Sequence, residues 1–405
     1  MHNLMRLSRF LFSEEKLPLE TIMLLIGGLA LSITGCLLFF VSNLGLPYYE
    51  DGFFGLLLIV FALQTITLGK TPFGDMGRSK ALLISGLVIG SVGMIACFIP
   101  GLFRSLSRIL LLICFGLGGI VQLWRAYRDE TGMRAWLRRG GIFRHLFLAC
   151  FGTYGLSILA GLLLWMQPPL PTPCTAASLV LFGLVVIYLA GVLRLVYHVY
   201  PQADSAGGNG DGLSLDNCML LFIGVFMILL GLLLIPVNLG LAPFAANAQL
   251  GLLMIIFAIQ MLASGNTPIG PFPRSLVVIG LGILFALLGI VSCVIPDILV
   301  AFLTILVGVL NILGALIPLG KQLLFSPKRQ NADAAPVHPL LRKLSITQLV
   351  MKMLAILFGL SMLVPNIIPG LAVGAILIAN GAVLLYLLRL LTAIDVLARE
   401  AVNAS

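Results

Sequence analysis

Long apolar runs, broken at short intervals by charge, proline or glycine, leave this chain few ways to fold. They fall near 20–42, 52–68, 80–99, 104–124, 144–166 and 174–193, then near 217–237, 247–264, 275–296, 298–318, 347–366 and 369–389. A bilayer core of ~30 Å is crossed by about 20 helical residues. A helix satisfies its own backbone there, which an open strand cannot. A membrane barrel needs segments of ~10 residues with alternating polarity, and the runs do not alternate. The fold class expected is all-α: a polytopic transmembrane helix bundle of about twelve spans, with the lipid bilayer as its surroundings. Charged residues are only 10% of the 405, against about 25% in soluble domains.

The net charge of +9 points to topology rather than to nucleic acid, because the basic residues lie between the runs. The N-terminal segment carries three, the 69–80 loop three, the 125–144 loop six and the 321–343 loop five, whereas 43–51, 167–173, 238–246 and 366–368 carry none. Of 24 Lys and Arg residues, only Arg104 and Arg108 fall on the opposite side. By the positive-inside rule both termini are expected in the cytoplasm. The first run is too long for a cleavable leader and lacks a small-x-small site. Residues 1–16 are expected to lie along the interface as a short amphipathic helix.

The stretch GLLLIVFALQTITLGKTPFGDMGRS at 55–79 returns as GLLMIIFAIQMLASGNTPIGPFPRS at 251–275, and residues 55–100 and 251–296 agree at 18 of 46 positions without a gap. The domain division expected is a first six-helix repeat over 1–200, a flexible linker over 201–216 and a second repeat over 217–405. The offset is 196. An even number of helices per copy gives both copies one orientation, a parallel repeat. The Gly69-Lys70-Thr71 triplet resembles the end of a phosphate loop. Gln64 occupies the place of that loop's first glycine, and the second copy reads Gly265-Asn266-Thr267, so no P-loop is expected. What both copies keep is Thr71-Pro72-x-Gly74 with Arg78, and Thr267-Pro268-x-Gly270 with Arg274: a tight turn between helices, closed by a membrane-boundary arginine.

Within each copy a helix ends at Ile-Pro and a glycine-bearing helix follows. The residues are Gly93, Pro100, Gly116 and Gly119, then Gly289, Pro296, Gly308 and Gly314. In these the chain resembles HdeD-like membrane proteins, built from short repeated helix hairpins. The resemblance implies an inner-membrane, stress-linked protein and supplies no catalytic residues.

Candidate chemistry is sparse. The seven cysteines form no C-x-x-C pair and mostly lie inside apolar runs, as small buried hydrophobes do. No metal site, cofactor or catalytic set is expected, and no enzymatic activity. Gln64 and Gln260 sit at matching depth, seven residues before their Thr-Pro turns. They are read either as structural donors to the turn above them or as contacts along a solute path. Two function classes stand: a structural, stress-associated or complex-assembling membrane component, with membrane-protein partners or a homo-oligomer, and a permease or channel for a small uncharged solute between the two repeats.

Overall fold

The computed structural model describes residues 17–45, 47–75, 79–128, 140–166, 173–200, 215–324, 339–364 and 367–403. The expected interfacial helix over 1–16, most of the linker and Arg78 lie outside them. Twelve helices follow in order: α1 Leu19–Leu44, α2 Glu50–Leu68, α3 Lys80–Phe98, α4 Arg104–Arg128, α5 Ile142–Met166, α6 Pro173–Val199, α7 Leu215–Asn238, α8 Ala246–Ser264, α9 Leu276–Val294, α10 Val300–Leu324, α11 Pro339–Leu363 and α12 Gly370–Asn403. All twelve are long and apolar enough to cross a membrane. Many large apolar side chains face outward, among them Phe40, Ile84, Val88, Trp165 and Phe302. Exposed apolar surface on this scale belongs against lipid tails.

The chain divides into two compact units. The first holds Met1–Gly212, Phe244–Asn266 and Phe272–Val300; the second holds Leu213–Pro243, Thr267–Pro271 and Ala301–Ser405. Helices α8 and α9 thus pack with α1–α6. In the first unit α2 and α8 are the inner helices, with 83% of the most apolar window of each buried. A helix apolar on every side is expected to be surrounded by protein. The contact of α2–α3 with α8–α9 is fixed by two backbone bonds, Tyr49 N–H to the Val294 carbonyl (2.8 Å) and Ala245 N–H to the Phe98 carbonyl (2.9 Å). Donors and acceptors alike differ by 196 positions.

Local signals set the helix ends. Gly69 (φ 68°) and Gly265 (φ 72°) end α2 and α8 in the left-handed region, where a glycine avoids the Cβ clash. Ser79 and Ser275 accept the Leu82 and Val278 N–H groups and so open α3 and α9. Between each pair the Thr-Pro-x-Gly element makes a two-strand turn. In the first, β1 (Lys70–Thr71) pairs antiparallel with β2 (Gly74–Asp75), and Thr71 Oγ1 donates to the Gly74 carbonyl at 2.8 Å. Thr267 repeats the bond to Gly270 at 2.7 Å.

Small residues decide which helices touch most closely, as expected where packing rather than water drives association. A methyl group on Gly183 of α6 would lie 2.6 Å from the Gly28 carbonyl of α1. One on Gly381 of α12 would lie 2.6 Å from the Gly224 carbonyl of α7. Gly93 packs on the Gly55 backbone, and Gly289 on that of Gly251.

One helix departs from regularity. Leu112–Leu117, midway along α4, is π-helical, whereas the same stretch of α10 is α-helical. Ser157 of α5 donates to the Phe115 carbonyl in this segment at 2.8 Å.

Arg104 and Arg108, which lie apart from the basic loops, are both paired. Arg108 meets Glu50 at 2.5 Å, and Arg104 Nε lies 3.4 Å from Asp51. Asp51 is buried and also accepts the Gly101 N–H at 2.8 Å. Tyr49, just before α2, donates its hydroxyl to the Cys97 carbonyl at 2.9 Å. Burial pushes that phenol well above the ordinary tyrosine value, so it remains a donor.

Candidate functional site

A cavity of about 540 Å³ lies inside the first unit, walled by α1, α2, the β1–β2 turn, α4, α5 and α6. Every lining residue falls between Glu20 and Leu193. The permease alternative placed a solute path between the two repeats; this cavity lies wholly within the first six helices.

Its two ends differ in chemistry. Toward the middle of the spans the wall is aromatic: Phe115 of the π-helical segment meets Phe61 and Phe182 edge-on, with ring centroids 4.9 and 5.6 Å away. The other end is polar, formed by Glu20, Gln64, Lys70, Thr71, Gln122 and Arg125. Along α4 the step from Phe115 to Arg125 is ten residues, so the cavity extends about 15 Å at 1.5 Å per residue.

Helix ends account for the charges there. Glu20 lies in the first turn of α1, where the macrodipole favours a carboxylate, and Lys70 follows the C-terminus of α2, where it favours a cation. The two form an ion pair. Tyr197 of α6 donates to the second Glu20 oxygen at 2.5 Å. Glu20 is thereby committed to a base and a hydroxyl on two other elements. Arg125 lies at the mouth with its guanidinium against Gly74, whose missing Cβ leaves the space it fills. Among the described residues no carboxylate pairs with Arg125.

The sequence-selected residues separate into two sets. Gln64, Thr71, Pro72 and Gly74 line the cavity. Gln64 lies on the cavity wall, and among the described residues no hydrogen bond joins it to its own turn. Gln260, Thr267, Pro268, Gly270 and Arg274 line no part of it. Arg274 instead caps the end of α8, donating to the Ala263 carbonyl at 3.0 Å. The Pro268 carbonyl packs on Gly314, as Pro72 packs on Gly118.

Sequence reasoning passed over Glu20, Gln122, Arg125, Tyr154 and Ser157, set Lys70 aside with the rejected phosphate loop, and read Cys150 as a buried hydrophobe. A usable signal was present: Lys70 and Gln122 become Asn266 and Pro318 in the second copy. No group of three His, Cys, Asp or Glu able to hold a metal ion occurs among the described residues. No known protein family, curated protein or solved structure matches the chain.

Proposed function

We propose that this chain is a non-enzymatic, multi-pass inner-membrane protein of the permease type, which binds a small solute within its first six helices. The observation that carries the reading is the cavity. Its volume lies in the ~300–1,000 Å³ range of small-molecule sites, and it combines an apolar body with a few convergent polar groups. The π-helical turn in the wall supports it too, since such turns recur at functional sites.

The same proposal includes two parallel-related repeats. It is supported by helix bounds, caps, turn bonds and glycine contacts that recur at an offset of 196 between α2–α3 and α8–α9. It also includes cytoplasmic termini, supported by the basic loops and by the carboxylate pairing of the two exceptional arginines. The HdeD-like resemblance stays within it as a likeness of hairpins. A second reading, the structural or complex-assembling component, draws on the tightly packed contact of α2–α3 with α8–α9.

Cysteine labelling separates them. Cys150 lines the cavity. With the other six cysteines replaced, a small charged methanethiosulfonate added at the cytoplasmic face of inverted vesicles is expected to modify Cys150. Gly27→Leu is expected to block the reaction, because a Cβ at Gly27 meets only Val60 at 3.5 Å and the longer side chain extends into the cavity. An unreactive Cys150 in the folded protein would leave the structural reading standing.

A further inference from the structure

We infer that the cavity takes an amphiphile with one anionic head and an apolar body; this rests on the solute-binding reading and names its ligand class. The argument begins with the distribution of polarity. The aromatic end, formed by Phe61, Phe115 and Phe182, offers a ligand ring edges and aliphatic carbon, with Leu31 and Leu57 beside it. The Thr153 hydroxyl, buried without a partner, is one polar point on a wall that is otherwise mostly carbon, and an apolar chain fits that stretch better than a small polar solute does. The polar end holds two cations and one carboxylate. Glu20 is already engaged by Lys70 and by the Tyr197 hydroxyl. Among the described residues no carboxylate pairs with Arg125, and Gln122 and Gln64 line the same cavity. Among the described side chains the charge left over is positive, and a planar guanidinium suits a carboxylate or phosphate head. The ends are about 15 Å apart along α4, so one ligand can occupy both. A ligand head also competes with Glu20 for Lys70, which makes the ion pair the group that an entering anion would loosen.

The test uses the full chain in phosphatidylcholine nanodiscs and three probes of equal chain length: decanoate, decanol and decyltrimethylammonium. Binding is read by equilibrium titration against radiolabelled decanoate. Decanoate is expected to bind in preference to both others. Arg125→Gln is expected to weaken it about tenfold, the loss of one charge-assisted hydrogen bond. Glu20→Gln is expected to strengthen it, because Lys70 is then released to the ligand. Opposite signs for two substitutions at one mouth cannot come from a general loss of fold. Nanodiscs that contain phosphatidylglycerol distinguish the sources: displacement of decanoate there identifies a lipid head, and unchanged binding a free anion, each consistent with the inference. Equal binding of the cationic probe, or no response to Arg125→Gln, would overturn it. If Cys150 is water-accessible and decanoate does not bind, the ligand class fails and the cavity reading survives. If Cys150 is inaccessible, the cavity reading itself fails.

Discussion

The Glu50–Arg108 pair offers a quantitative test of how charge is tolerated at the start of α2. Glu50 is 14% exposed and Arg108 24% exposed, the pair closes at 2.5 Å, and the guanidinium lies 5.9 Å from the centre of the Phe54 ring. Arg108 Nε is buried with no partner. Glu50→Ala therefore leaves a mostly buried cation with neither of its hydrogen-bonding edges matched. Removal of one partner of a buried pair costs ~3–5 kcal/mol; with a quarter of Arg108 still open to solvent, about 2–3 kcal/mol is expected here. Arg104 lies 3.8 Å from Glu50 and is half exposed, so it adds little. Arg108→Thr alone should cost less, about 1–2 kcal/mol, because Glu50 stays at a helix N-terminus that favours it. With Glu50→Ala and Arg108→Thr together, neither charge is stranded. Ala246 and Thr304 occupy these places 196 residues on. The double variant is expected to cost about 1 kcal/mol relative to the parent, a coupling of about 2–4 kcal/mol, well above the ~0.5 kcal/mol scatter of independent sites. Reversible unfolding in mixed micelles, with increasing dodecyl sulfate fraction and far-ultraviolet dichroism as the readout, measures all four corners of the cycle. A double variant equal to the sum of the singles would refute the argument that the charges are kept because each shelters the other.

Asp297 has φ 66° and is the one non-glycine with positive φ among the described residues, at the place where the first copy has Gly101 (φ 79°). Asp297→Gly should therefore raise the unfolding free energy by about 0.5 kcal/mol, net of the freedom glycine returns to the unfolded chain, as read by the same titration. Gly55→Ala should destabilise strongly, because its Cβ would collide with the Gly93 carbonyl, while Gly155→Ala, with nothing near its Cβ, should stabilise α5 by up to ~1 kcal/mol; equal effects would show that glycine contacts do not set the helix spacing. Gln64→Leu should alter binding of the cavity's ligand and leave the unfolding midpoint nearly unchanged, whereas a lowered midpoint with unaltered binding would assign Gln64 the structural role. Single cysteines placed in the 125–144 and 321–345 loops should react with impermeant maleimide from the cytoplasmic side only, and labelling from outside intact cells would reverse the topology.

Much of the architecture follows from information that is local in the chain. Length and apolarity determine each span, because a backbone in lipid must bond to itself within a few residues. Glycine, serine and proline mark the ends at Gly69, Ser79, Gly265 and Ser275, because their conformational and capping preferences act over one helical turn. The Thr-Pro-x-Gly turn is legible for the same reason. The cavity is different. It exists because Gly28, Gly35 and Gly183 bring α1 onto α6, and Gly161 brings α5 onto the π-helical turn of α4, so that space remains where no such contact is made. Its charged mouth joins Glu20 to Tyr197 across 177 residues. Gln64 and Gln260 match in sequence depth, yet only Gln64 lines the cavity. Periodicity and composition describe a helix against its own axis; which faces meet, and what they fail to fill, depends on the shapes of several helices at once, and tertiary packing alone decided it.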